Sequence, residues 1–245
     1  MQGPLQYELH TVDCVKSTNT TLKELAKNGA PEGYVLTALQ QTNGRGRLNR
    51  VFFSPKGTGL YCSILLRPTV PLPPSALTCM SAVAVAETIE SFGIACGIKW
   101  VNDVYVNGKK AVGILTEGAF TQEGLYSYAV VGIGVNLFLP EGGFPKQIAE
   151  TATSVFRTEQ DEAVRKSFLK KLLQRFKSHY ELLPETPFLQ AYRERQLLIG
   201  QPVLFSGPDG MKRGTATGID DQFRLLVRTS TGAEYAVDRG DVTIV

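Results

Sequence analysis

Hydrophobic and polar positions follow two different textures along this chain. In the first, Ser17-Thr18-Asn19 offers N-capping side chains, and Leu22, Leu25 and Ala26 follow at helical spacing until Asn28-Gly29 stops the run. Residues 34–40 and 60–66 read as largely buried strands, separated by a loop dense in glycine and arginine. Pro68, Pro71, Pro73 and Pro74 mark a rigid connector, and an apolar helix is predicted from about Leu77 to Phe92, closed by Gly93. Residues 98–106 and 110–117 read as two strands around Asn107-Gly108, a strong type I′ hairpin signal, and 126–137 as one more apolar strand. From Glu159 to Leu183 the spacing predicts an amphipathic helix with Phe168, Leu172, Leu173, Phe176 and Tyr180 inward, and a shorter helix follows Pro187.

The second texture begins after Leu198. Short β-rich segments at 202–206, 212–218, 223–229, 234–238 and 242–245 alternate with Gly, Asp and Pro, the pattern of a small five-strand barrel. Two units are therefore expected, 1–198 and 199–245, with their boundary near Ile199.

Composition narrows the chemistry. With 43% hydrophobic and 20% charged residues in 245, the chain is ordinary for a soluble globular protein. It has no 18-residue apolar run, and Met1 to His10 carries no secretory signal, so a cytoplasmic protein without membrane contact is expected. A net charge of +3 does not demand a nucleic-acid partner. Cys14, Cys62, Cys79 and Cys96 form no CxxC pair, and His10 and His179 are the only histidines. Zinc binding and Cys- or His-based catalysis lose their raw material.

Four segments could carry chemistry. Gln41 to Arg50 sets Arg45, Arg47 and Arg50 among Gly44 and Gly46, directly after a strand. Glycine lets backbone approach a ligand, and guanidinium binds phosphate or carboxylate bidentately. A solvated basic turn would look the same, as would an RNA-binding tail. Lys99-Trp100-Val101-Asn102-Asp103 joins a cation, an amide and a carboxylate; in a regular strand Asn102 and Asp103 point to opposite faces unless a bulge redirects one. A strand end capped by its own polar residues is the plainer reading. Lys109-Lys110 precedes an apolar strand in which Gly113 suggests close approach of a ligand or backbone, although paired lysines after a turn are usually solvated. Gly132-Ile133-Gly134-Val135-Asn136 lacks the order and following helix of a dinucleotide fingerprint, and its glycines could simply relieve crowding.

The order of these segments is more specific than any one of them. Ser-Thr-Asn, then Gln-x-x-Gly-Arg-Gly-Arg with Ser54-Pro55 and Leu60-Tyr61 behind it, then Lys-Trp-x-Asn-Asp, Lys-x-x-Gly-Ile-Leu and Gly-x-Gly-x-Asn resembles the biotin protein ligases along essentially the whole chain. The resemblance implies an α+β fold: a mixed sheet with helices on one face, like class II aminoacyl-tRNA synthetase catalytic domains, plus a C-terminal SH3-like module. It implies ATP-dependent formation of biotinyl-5′-AMP, then transfer of biotin to a lysine of the apo biotin carboxyl carrier protein. Such chemistry needs cations and backbone N–H groups aimed at developing charge, with Mg²⁺ riding on the phosphates, rather than a protein nucleophile.

Carried over by motif, Ser17, Thr18, Asn19 and Gln41 resemble the residues that hold the biotin ureido head. Arg45, Gly46 and Arg47 would cover the carboxylate and adenylate phosphate, and Lys110 would contact both, with Gly113 allowing close packing. Arg45, Arg47 and Lys110 are thus the expected catalytic groups. Lys99 would meet the polyphosphate, Asn102 and Asn136 the nucleotide and its metal, and Asp103 the metal or the accepting lysine; Arg50 and Phe52 complete the expected nucleotide side. Three positions depart from the family pattern: Asn49 replaces a glycine, Phe52 a tryptophan linked to adenine stacking, and Val101 a proline. With Ser-Thr-Asn already at residue 17, a ligase without a winged-helix repressor domain, and so without a DNA partner, is expected. Monomer and homodimer both stay open, since an exposed sheet edge could pair with a second copy or with the carrier. A lipoate–protein ligase is the nearest alternative, but its Arg-Arg-x-x-Gly-Gly-Gly signature is absent; an RNA-binding module is the alternative from another class.

Overall fold

The computed structural model describes residues 4–157, 160–183, 185–207 and 210–245. Its larger sheet has seven strands: β1 (Glu8–Val15), β2 (Tyr34–Gln41), β3 (Gly59–Leu66), β4 (Gly97–Lys99), β5 (Asp103–Val106), β6 (Lys109–Phe120) and β7 (Tyr126–Asn136). They run in the order β1-β2-β3-β7-β6-β5-β4, with β1 parallel to β2 and every other pair antiparallel. Helix α1 (Thr18–Lys27) is the crossover between the two parallel strands, and Ser17 caps it by accepting from Thr20 N. Strand β1 was not apparent in the sequence because most of its residues are exposed at the sheet edge, so no apolar alternation marks it.

Strand parity divides the sheet into two working faces. Val131, Ile133 and Val135 of β7 join the main core with α2 (Ala76–Glu90), α3 (Glu162–Glu181) and α4 (Phe188–Glu194). Val130 instead joins a smaller cluster with Leu22 and Ala26 of α1. Three helices therefore share one face, and α1 departs from the one-face expectation by covering the other. Thirteen of the fifteen residues of α2 are buried, so it is an interior helix; its Ser81 and Thr88 hydroxyls donate to the carbonyls of Leu77 and Ala84, one turn back. Helix α3 starts at Glu162, capped by Asp161, and buries the five predicted inner residues. Glu159 lies outside the described residues.

The predicted strand 98–106 is interrupted. Residues 100–102 form a turn between β4 and β5, with a cis Trp100–Val101 peptide. Asn107 and Gly108 both hold positive φ, as a type I′ turn requires.

The smaller sheet is antiparallel and five-stranded: β8 (Pro202–Gly207), β9 (Gly210–Ile219), β10 (Leu225–Arg228), β11 (Glu234–Val237) and β12 (Val242–Ile244), in the order β11-β10-β9-β8-β12. Phe223, just ahead of β10, docks it on α4 and on the turn at 100–102. Its ring is fully buried, stacks on Phe188 at 5.5 Å between centroids and meets the edge of Tyr192. Its carbonyl accepts from Trp100 Nε1 at 2.9 Å, and Arg193 adds a bond to Ile219 O and an ion pair with Asp221.

Replacing Phe223 by Ala should cost about 3–5 kcal/mol, the range for emptying a buried aromatic site. Urea unfolding checks this; a loss below about 1 kcal/mol would show that the aromatic dock does not hold the two sheets together.

Candidate active site

Every candidate site residue carried over from the motifs lines one cavity of about 350 Å³ on the α1 face of the larger sheet. Strand β7 runs beneath it as a ruler. Its residues 132, 134 and 136 share a face, and four residues of strand span about 13 Å.

At Gly132 the floor is polar and uncharged. A Cβ there would overlap the Asn19 carboxamide, so only glycine lets α1 sit this close. Asn19 Oδ1 accepts from Ser63 Oγ at 2.7 Å, and its Nδ2 donates to Leu115 O and Glu117 Oε2. Ser63 also lies 2.8 Å from Thr18 Oγ1, whose hydroxyl and backbone N–H both donate to Gln41 Oε1. Gln41 Nε2 donates on to Ser54 Oγ, which donates to Phe52 O. Hydroxyls and carboxamides in an unbroken chain form this end, backed by the capped start of α1.

At Gly134 the floor becomes apolar. The Phe52 ring lies against Gly113 and Gly134, in the space that side chains would need. Both glycines thus serve the approach of an aromatic ring, which answers why buried strands carry them.

Beyond, around Asn136, the lining turns cationic. Lys99, Lys110 and Arg47 gather here with Asp103. Lys110 Nζ stands 2.7 Å from Asp103 Oδ1, an ion pair by distance whose angles leave that oxygen without a formed hydrogen bond. The Lys110 backbone is tied on both sides, to Thr151 O and from Thr153 N. Asn136 spends Nδ2 on Thr153 O, pinning the same segment. Asn102 is committed too: Oδ1 accepts from Arg47 Nη1 at 3.0 Å and Nδ2 donates to Ile114 O. Asn102 thus scaffolds the site, and the second lone pair of Oδ1 and second proton of Nδ2 leave its expected contact with the nucleotide open.

The Gly/Arg loop closes over these zones as a tight turn. Gly46 N donates to Arg50 O, Phe52 N to Gly44 O, and Arg45 bridges Val51. At its tip Leu48 and Asn49 both hold left-handed φ, a conformation that glycine adopts without strain and asparagine tolerates. The three arginines go separate ways. Arg47 turns inward to Asn102 and Gly240 O, Arg50 pairs with Asp241, and Arg45 reaches Glu117 at 3.2 Å.

Sequence reasoning missed Ser63, Glu117, Gly240 and Asp241. Glu117 had a signal, since it shares a strand face with Gly113 and Leu115. Gly240 and Asp241 had none: they arrive from the second sheet, more than 180 residues away in sequence from the loop they meet. Burial alone would raise the Glu117 carboxyl's pKa; hydrogen bonds from Lys23 and Asn19, with the charges of Lys23 and Arg45, outweigh it and hold it below its ordinary value. Among the described residues no group of three His, Cys, Asp or Glu could hold a metal ion, and the lining carboxylates Asp103 and Asp241 each face a cation. That donor set suits a divalent cation carried in on substrate phosphates rather than one caged by protein. No described helix is long and apolar enough to cross a membrane.

Comparison with known proteins agrees with this geometry. The biotin/lipoate A/B protein ligase family matches residues 11–136, and the biotin protein ligase C-terminal domain matches 198–244. A bifunctional ligase/repressor of Bacillus subtilis is 37% identical over 233 residues, 92% of this chain and 71% of that protein. The biotin–[acetyl-CoA-carboxylase] ligase of Paracoccus denitrificans is 32% identical over 229 residues, 89% of this chain and 93% of its own. The structure of a biotin protein ligase from Aquifex aeolicus in complex with biotin and ATP superposes with a TM-score of 0.78 at 28% identity, covering 97% of this chain and 98% of that one. With both sheets matched and the cavity residues in place, the chain belongs to the biotin/lipoate A/B protein ligase family, on its biotin protein ligase side.

Proposed function

We propose that this protein activates biotin with ATP to biotinyl-5′-AMP and passes the biotinyl group to a lysine of an apo biotin carboxyl carrier protein. The observation that carries this reading is the order of zones along β7: neutral hydroxyls and amides, then an aromatic ring, then cations. Biotin has the same order, with a ureido head that both donates and accepts, an apolar ring and chain, and a carboxylate. Lipoate shares the chain and carboxylate but has a dithiolane head, which would leave the polar end unmatched at a cost for each unpaired group.

In the first step a carboxylate oxygen attacks the α-phosphorus of ATP, forming the acyl-phosphate bond as the bond to pyrophosphate breaks. Two anions must meet, so the main contribution of the chain is fixed positive charge where they meet. Lys110 and Arg47 supply it, the first held by Asp103 and the second by Asn102 and Gly240 O. Lys99 extends the cationic lining toward the departing pyrophosphate. The divalent cation enters as part of the nucleotide substrate. In the second step the carrier's lysine amine attacks the acyl carbon, AMP departs with the bonding pair, and the amine's proton is released to solvent. Between the steps the closed loop keeps water from the anhydride. Residues 1–198 would form the catalytic unit and 199–245 a module that reaches the loop through Gly240 and Asp241.

Incubation with Mg-ATP should release pyrophosphate only when biotin is added, and label an apo carrier domain when one is present. Release with lipoate and none with biotin would overturn the assignment. Replacing Lys110 by Ala should slow adenylation about 10²–10³-fold, as for removal of a transition-state cation. An unchanged single-turnover rate would take Lys110 out of the reaction.

Thiol chemistry has no part in this scheme. Burial pushes Cys62, Cys79 and Cys96 up to about 12, so at neutral pH they stay protonated, while Cys14 is exposed. A thiol reagent should label the native protein fastest at Cys14 and leave adenylation intact; rapid labelling of Cys62 or Cys79 would contradict their burial.

A further inference from the structure

We infer that Glu117 is a positioning residue that clips the Arg45–Val51 loop onto β6, so that Arg45 works as a fastener of the lid rather than as a ligand for substrate anions. The catalytic arm of this inference rests on the biotin-activating reading above; the loop-fastening arm does not.

Glu117 receives three donors on one carboxylate. Lys23 Nζ stands at 2.6 Å, Asn19 Nδ2 at 3.1 Å and Arg45 Nη1 at 3.2 Å. Its side chain is 18% exposed, against 35% for Arg45, so the pair is shielded enough for the charges to matter and open enough to form and break. The Arg45 guanidinium, which the loop motif offers to an anion, is therefore already engaged by a carboxylate that it shares with Lys23 behind the hydroxyl–amide end of the cavity. Arg47 alone of the three arginines reaches the protein through a neutral carboxamide and a carbonyl, which leaves its positive charge uncompensated. Glu117 also fixes the polar floor. With Nδ2 of Asn19 drawn to Glu117 and Leu115 O, Oδ1 must face Ser63. The same carboxylate thus sets the lid and orients one end of the hydroxyl–amide chain.

Glu117→Gln keeps size and removes charge. In the unliganded full-length protein, trypsin should then cut after the loop arginines about fivefold faster, the change expected from losing about 1 kcal/mol of ion pairing. Lys23→Met removes the other ion pair to the same carboxylate and should leave the loop as resistant as wild type. Arg45→Met breaks the clip from the loop side and should expose Arg47 and Arg50 as Glu117→Gln does, which covers the case in which the Glu117 variant fails to fold. With biotin and Mg-ATP, escape of the adenylate should rise about fivefold in Glu117→Gln and in Arg45→Met, and no further in the double variant. Unchanged trypsin rates in Glu117→Gln and Arg45→Met overturn the clip. So does a Lys23→Met variant as labile as Glu117→Gln, which would make the carboxylate an anchor for α1 alone. Additive escape rates in the double variant overturn the action through Arg45. A wild-type protein that fails to release pyrophosphate with biotin refutes the assigned reaction instead, and the proteolysis still decides the clip.

Discussion

The short turn at Trp100, Val101 and Asn102 is gripped at each residue, and the working parts of the molecule meet there. Trp100 Nε1 donates to Phe223 O of the smaller unit, Val101 O accepts from Tyr192 of α4, and Asn102 joins Arg47 of the loop to Ile114 of β6. All three residues are buried, so these bonds form out of water, where a lost partner is costly. A carboxamide there suits the task better than a carboxylate. It can accept from a guanidinium without cancelling its charge, and donate to the strand at the same time.

Charge in the cavity is organised by the same economy. Carboxylates stand against Arg45, Arg50 and Lys110, while Arg47 is held by neutral acceptors. Counting arginines in the Gly/Arg loop would overstate how much positive charge an anion meets.

Much of the architecture was legible because it is written in local patterns. The α3 stripe from Phe168 to Tyr180, the Asn107-Gly108 hairpin and the change of texture after Leu198 depend on neighbours in sequence. Strand β1 was not legible, since an edge strand with polar residues on both faces has no alternation to read. Nor was the break at 100–102, where apolar residues continue through a turn that side-chain bonds from distant segments hold. The cavity lining followed from the order of motifs, but motif order says nothing of how side chains pair. That is why the bonds of Asn102 to Arg47 and β6 were not foreseen, nor Asp241, which tertiary packing alone brings in.

The buried Phe223 ring has a consequence for how ligands come and go. Swinging the smaller unit aside as a hinged body would drag a whole aromatic side chain out of its seat between Phe188 and Tyr192 and strip the Trp100 indole of its acceptor. The Gly/Arg loop, by contrast, is fastened by a handful of polar contacts near the surface. Peeling back a few loop residues would therefore open the cavity at less cost than unseating Phe223, and would leave the contact between the two sheets' units unbroken.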